Sequence, residues 1–101
     1  MITKNLIKTM YGRVLSRPGL VECAHLSSGV TLEMRKREGK VIFIKLYGDN
    51  AALLEFVMCD VLAVWPDPVG EAALVPFVMN GVAYLTCRVL IEHAAVNQVE
   101  A

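Results

Sequence analysis

Apolar residues recur with helical spacing in two parts of the chain and alternate with polar residues in the rest. Near the N-terminus, large apolar side chains return every three or four positions, and lysines occupy positions between them. This spacing predicts an amphipathic helix over 1–16, with Thr3 as its N-cap. A second helix is predicted over 50–64, capped by Asp49 or Asn50. Its apolar residues cover nearly every side, so it must be buried on more than one side.

The region between the two helices predicts an antiparallel meander over 20–47. Its three strands are expected at 20–26, 30–36 and 40–47. We predict three-residue loops at 27–29 and 37–39, because these loops place apolar residues opposite one another in every pair. The second loop sets Met34 opposite Ile42. The first sets Ala24 opposite Leu32.

The final third of the chain carries a hairpin signal, Asn80-Gly81 between two apolar runs. This dipeptide predicts a type I′ turn in a hairpin over 73–93, followed by a frayed tail over 94–101. Because proline cannot donate to a sheet ladder, Pro76 places its own strand at the edge of the sheet. The order α-β-β-β-α-β-β therefore predicts one α+β domain, an antiparallel meander plus a C-terminal β-hairpin, with both helices on one face.

The composition limits the class of protein. The chain has 101 residues, of which 55% are apolar, whereas ordinary domains are about 45–50% apolar. A membrane-spanning helix needs about 20 apolar residues. The longest uncharged run, over 72–87, is interrupted by Pro76 and Asn80-Gly81, so we expect no membrane span. Three widely spaced cysteines suit neither a disulfide framework nor a zinc site and indicate a reducing cytoplasm.

The formal charge is zero, but the two halves of the chain differ. Residues 1–48 carry nine basic and three acidic side chains, and residues 49–101 carry one basic and seven acidic side chains. The overall balance argues against a nucleic-acid partner held by bulk electrostatics. The two halves either neutralise each other within one chain or steer head-to-tail association between chains.

The candidate for metal binding or catalysis is Cys23, His25 and Glu33. Cys23 and His25 share a sheet face, and the predicted register places Glu33 opposite Cys23. Such a trio could bind a metal, or could form a cysteine nucleophile with a histidine base. However, no fourth ligand accompanies it, and residues two apart on a strand lie about 6–7 Å apart. The alternative is a half-buried cysteine beside a surface histidine, and we expect no metal and no cofactor.

A basic hairpin offers a possible contact for a polyanion through Arg35, Lys36, Arg37 and Lys40. Phe43 and Tyr47 lie nearby, and aromatic side chains among basic ones can stack single-stranded bases. The competing interpretation is an ordinary solvated turn. We favour the solvated turn and expect no nucleic-acid partner.

Surplus apolar side chains give the main functional prediction. In the last hairpin, one face carries residues that two helices on the opposite face cannot cover: Val75, Phe77, Met79, Val82 and Tyr84. Small monomers rarely leave such a patch exposed. We therefore predict that the chain forms a homodimer and binds another protein, and that it is not an enzyme. The alternative is an internal sandwich in which the hairpin folds over the meander.

The element order is similar to that of the class I type III secretion chaperones. Those proteins are dimers with the order α-β-β-β-α-β-β-α, and they bind unfolded effector segments. The resemblance implies a dimeric, chaperone-like protein, although no third helix is predicted here and no sequence motif is shared. Compact phage- or plasmid-encoded inhibitors and immunity proteins fit the same description.

Overall fold

A computed structural model describes residues 3–17, 19–37, 40–67, 69 and 72–90. Its elements are α1 Lys4–Ser16, β1 Val21–His25, β2 Thr31–Lys36, β3 Val41–Gly48, α2 Ala51–Ala63, β4 Ala72–Met79 and β5 Val82–Leu90. The predicted α+β order is confirmed. The last residues of the predicted hairpin and the predicted tail over 94–101 lie outside the described residues. Within the described ranges, no helix is long and apolar enough to cross a membrane.

All five strands form one antiparallel sheet in the order β1-β2-β3-β5-β4. The C-terminal hairpin joins the meander edge to edge, because β5 pairs with β3 along its whole length. The alternative of an internal sandwich, with the hairpin folded over the meander, is therefore wrong. As Pro76 predicts, β4 is an edge strand and β5 lies inside the sheet.

Two of the three hairpin registers match the predicted ones. In the first hairpin, the Leu26 N–H donates to the Val30 carbonyl at 2.9 Å, which closes a loop over 27–29. In the last, Asn80 and Gly81 have φ angles of 53° and 77°. Positive φ at both central residues is the mark of a type I′ turn, and Phe77 pairs with Tyr84 as expected.

The β2–β3 register differs from the predicted one by two positions. Met34 lies opposite Ile44 rather than Ile42, and the Arg37 N–H donates to the Val41 carbonyl at 2.8 Å. The loop is therefore 38–40 instead of 37–39, and residues 38 and 39 lie outside the described residues. Because side chains alternate along a strand, a shift of two keeps every residue on its predicted face.

The core lies between the two helices and one face of the sheet, here called the helix side. Helix α1 packs on β1 and β2, and α2 packs on β3 and β5. Side-chain caps start both helices, with Thr3 accepting from the Leu6 N–H and Asn50 from the Leu53 N–H. The buried apolar residues of the strands all share the helix side: Leu32, Met34, Ile42, Ile44, Leu46, Ala83, Leu85, Cys87 and Val89.

The segment that follows α2 folds back against α1. Trp65 is buried there, and its ring meets the Tyr11 ring edge to face, with centroids 5.1 Å apart. The Tyr11 hydroxyl donates a hydrogen bond to the Asp67 carboxylate. Burial, followed by this bond and the charge of Asp67, raises the pKa of Tyr11 well above its ordinary value.

The raised pKa of Tyr11 predicts a loss of stability in alkali. Unfolded tyrosine ionises near pH 10. Above that pH the unfolded chain loses a proton that folded Tyr11 retains, so the free energy of unfolding falls by about 1.4 kcal/mol per pH unit from this residue. Below pH 10 the contribution is constant. Urea denaturation of wild type and Tyr11→Phe across this range is expected to show the shallower fall in the variant, and identical slopes would contradict the assignment.

Candidate functional site

The open face of the sheet, meaning the face turned away from the helices, carries the predicted trio. Cys23 lies opposite Glu33, as expected, but the side chains of His25 and Glu33 have partners outside the trio. The His25 Nδ1 lies 3.2 Å from the Thr31 hydroxyl. Glu33 accepts a hydrogen bond from the Tyr47 hydroxyl at 3.0 Å and lies 3.7 Å from the Lys45 ammonium.

The structure therefore brings Cys23 and Glu33 to neighbouring positions without assembling a metal site. Among the described residues, no three potential ligands from histidine, cysteine, aspartate and glutamate lie close enough to hold an ion. The Tyr47 hydroxyl points at Glu33. Burial first, and then this bond to Glu33, raise the pKa of Tyr47. The geometry of Glu33 is that of a hydrogen-bond acceptor on a polar surface.

The predicted basic patch is divided between the two faces of the sheet. Arg35 lies on the open face, whereas Lys36 lies opposite Ile42 on the helix side, and Lys40 is exposed beside the loop. The Arg35 and Arg37 guanidiniums stand 5.8 and 4.8 Å from the centre of the Phe43 ring. Of the four residues named as a possible polyanion contact, Arg35 and Arg37 therefore lie beside Phe43, and Lys36 does not share their face of the sheet.

Two further cations join Arg35 and Arg37 on the open face. Arg88 of β5 lies directly opposite Phe43, and Lys45 is two residues along β3 from Phe43. Together they line an open groove of about 590 Å³. This cationic groove is formed by Arg35, Arg37, Phe43, Lys45, Ala73, Val75, Phe77, Thr86 and Arg88. Sequence reasoning missed Arg88 because it did not predict that β5 pairs with β3.

The predicted apolar surface is present on the open face of the last hairpin. Val75, Phe77 and Met79 are exposed, and Val82 and Tyr84 are half-buried. The rings of Phe77 and Tyr84 are parallel within 2°, with centroids 4.9 Å apart. This stacking across neighbouring strands explains why Tyr84 is less exposed than the prediction implied.

Strand β4 is also exposed on its helix side, which the sequence analysis did not predict. Leu74 and Val78 lie on the same face as their buried partners Cys87 and Ala83, yet they are 48% and 71% exposed. A helix is about 10 Å wide and strands lie about 4.8 Å apart, so two helices cover about four strands. Helices α1 and α2 cover β1, β2, β3 and β5, and neither packs on β4. The described part of the chain therefore leaves the fifth strand uncovered on both faces.

Helix α2 is covered on one side only by the described part of the chain. Its buried residues Leu54, Val57, Met58 and Val61 form one stripe, and Phe56, on the opposite side, is 73% exposed. The prediction that this helix is buried on more than one side is not met among the described residues. Phe56 is therefore a second exposed apolar feature, separate from β4.

The outer edge of β4 presents backbone groups that can pair with another strand. Hydrogen-bonded and non-hydrogen-bonded pairs alternate along an antiparallel ladder. Pro76 has no N–H, so its pair with Leu85 is a non-hydrogen-bonded pair. Leu74 and Val78 are two residues away on either side, so their pairs are of the same type and their backbone groups point away from β5. No residue of Ala72–Met79 is charged. Natural edge strands are normally protected by charges, by bulges or by a covering element.

The three cysteines differ in exposure. Cys23 and Cys59 are exposed, and Cys87 is buried in the core; all three are free thiols. Burial raises the pKa of the Cys87 thiol and thereby disfavours the thiolate, which is the nucleophilic form.

Comparison of the chain with protein-family models, with curated proteins and with solved structures found no match.

Proposed function

We propose that this chain is a non-catalytic protein-interaction module, of the adaptor, chaperone-like or inhibitor type, that acts as a homodimer through β4. The observation that carries the proposal is the exposure of apolar side chains on both faces of this strand. Burying each such side chain contributes about 1.5–3 kcal/mol, which together can exceed the cost of association. The three free thiols support a reducing, cytoplasmic location.

A second copy is a suitable occupant because β4 can pair with itself. Antiparallel pairing about a twofold axis with Pro76 opposite its symmetry mate would place Leu74 opposite Val78 of the second copy. In that register the two Pro76 residues, which have no N–H, face each other. The backbone N–H and C=O groups of Leu74 in one copy would pair with those of Val78 in the other. The two sheets would become one continuous sheet, which removes the exposed edge of each copy. Apolar side chains of the two strands would then cover one another.

The substitution Val78→Asp is expected to dissociate this dimer without unfolding the chain. Val78 is 71% exposed in the single chain, so a charge there costs the monomer little. In the dimer it would lie directly opposite Leu74 of the second copy, and this pair occurs twice. A carboxylate there replaces an apolar cross-strand contact at both places, so the dissociation constant is expected to rise by at least about tenfold. Sedimentation velocity at tens of micromolar, with circular dichroism as a check on folding, measures both effects.

Phe56→Asp is the matched control. Phe56 is as exposed as Val78 but lies on α2, so its replacement by Asp is expected to leave the dimer intact. A wild-type chain that sediments as a monomer at this concentration would overturn the proposal. Dissociation by Phe56→Asp but not by Val78→Asp would move the interface to α2 and overturn it as well.

A further inference from the structure

The cationic groove holds more positive charge than the described residues neutralise. Four cations line it. Among the described residues, one carboxylate lies within ion-pair distance of any of these cations, that of Glu33 at 3.7 Å from Lys45. The other ion pair in the described ranges, between Arg13 and Glu22, lies outside the groove. Arg35, Arg37 and Arg88 therefore have no carboxylate partner among the described residues. Like charges held together favour an anionic ligand.

The groove changes in character from one side to the other. Its cations lie on β2, β3 and β5 and just beyond the end of β2, around the ring of Phe43. Its β4 side is apolar and consists of Ala73, Val75 and Phe77. A ligand that fills the groove must place negative charge toward the arginines and apolar groups toward β4.

We infer that the cationic groove binds an acidic segment of a partner protein, in which carboxylates alternate with large apolar side chains. The inference rests on the proposed function as a protein-interaction module and names the chemistry of its partner. Guanidinium groups bind carboxylates through two parallel hydrogen bonds, which gives both affinity and orientation. The apolar side chains of the segment would cover Val75 and Phe77, which are exposed in the single chain.

The aromatic side chains of the open face favour a protein segment over a single-stranded nucleic acid. Binding of bases requires ring faces on which they can stack. The rings of Phe77 and Tyr84 stack with their centroids 4.9 Å apart, which is the distance between neighbouring strands. The rings therefore stand perpendicular to the sheet, and each covers one ring face of the other. The ring of Phe43 is approached by two guanidiniums. The groove thus offers cations and upright ring edges rather than a flat platform.

The groove and the proposed dimer both include β4 but use different groups of it, the open-face side chains in the groove and the backbone edge in the dimer. Pairing of two β4 edges engages the backbone groups of Leu74 and Val78, which point away from β5. The cations of the groove are on the other strands, within each copy. Edge pairing also places the open faces of both copies on the same side of the sheet, so a dimer would present two grooves to one partner.

Fluorescence anisotropy with a labelled peptide tests the inference on the full chain. The probe is a peptide in which Glu and Leu alternate, and a peptide with Lys in place of Glu serves as its counterpart. The wild-type chain is expected to bind the acidic peptide, more weakly as salt is added, and not the basic one. Arg88→Glu is expected to weaken binding of the acidic peptide by at least about tenfold.

Lys8→Glu is the matched control, because it makes the same change of charge at an exposed residue of α1, on the opposite side of the sheet. It is expected to leave binding of the acidic peptide unchanged. If Arg88→Glu fails to fold, Arg35→Gln removes one cation without adding a carboxylate, and a several-fold weakening is expected. Equal binding of both peptides to the wild-type chain, or full binding by a folded Arg88→Glu or Arg35→Gln chain, would overturn the inference.

Two other occupants are outcomes of the same experiment. Tighter binding of oligothymidylate than of the acidic peptide would assign the groove to a nucleic acid and overturn the inference. Self-association that Arg88→Glu abolishes, with no binding of the peptide, would assign it to a second copy and also overturn it. Val78→Asp is expected to bind the acidic peptide normally, so failure of the dimer and failure of the groove are measured separately.

Discussion

Replacement of Leu46 by alanine is expected to lower the free energy of unfolding by about 2–5 kcal/mol, the range for a fully buried leucine. Leu46 lies on β3, the central strand, and has no exposed surface. It stands between Leu32 of β2 and Leu85 of β5. Its two ladder partners hold this part of the sheet in place, so the structure cannot close over the space that the side chain leaves. The cost therefore includes both the lost burial and a cavity.

Leu90→Ala is the matched control for Leu46→Ala. It is the same chemical change in the same sheet, at a residue on the open face that is about half exposed. The expected loss is about 0.5–1 kcal/mol, within the range of surface substitutions. Urea denaturation of both variants gives the comparison. Equal losses would contradict the assignment of the core to the helix side of the sheet.

The faces of the strands were predictable because they depend only on local alternation and turn chemistry. Asn80-Gly81 defines a hairpin whose pairs follow from its two-residue turn, and Gly29 does the same for the first hairpin. The β2–β3 register was less determined. Moving Met34 from Ile42 to Ile44 keeps Met34 and Leu32 opposite apolar residues, so these apolar pairs do not separate the two registers.

The exposure of β4 could be predicted for one face but not for the other. Leu74 and Val78 alternate with their neighbours as core residues do, and alternation reports a face without saying whether a helix covers it. That depends on where the helices lie across the sheet, which is a tertiary property. The prediction that the open face of the hairpin carries exposed apolar side chains nevertheless holds for Val75, Phe77 and Met79.

The cationic groove was only partly predictable for a similar reason. Arg35 and Arg37 belong to the same predicted hairpin as Phe43, so the local sequence was enough to group them with Phe43. Arg88 reaches the same place through the β3–β5 pairing, which joins distant parts of the chain. No local pattern reports that pairing. Lys36, although adjacent in sequence, does not take part because its side chain lies on the helix side of the sheet.

Replacement of Trp65 by alanine is expected to cost about 3–5 kcal/mol, the range for a buried tryptophan. Trp65 follows α2 and packs its ring against Tyr11 of α1. It belongs to the same buried cluster as Val14 and Val61, one from each helix. The substitution therefore removes an apolar contact between the two helices. It also removes the aromatic pair, which contributes about 0.5–1.5 kcal/mol beyond the burial of apolar area.

Trp65→Phe separates the packing of this residue from its polar group. The indole N–H is buried and has no acceptor among the described residues, so its removal breaks no hydrogen bond and relieves a cost of desolvation. A phenyl ring can keep the edge-to-face contact with Tyr11, and the expected loss is about 1–2 kcal/mol, from the smaller ring alone. Trp65 is the sole tryptophan, so unfolding is followed by circular dichroism rather than by fluorescence. A Trp65→Phe chain as unstable as Trp65→Ala would mean that the indole N–H, and not the ring, holds the segment after α2 against α1.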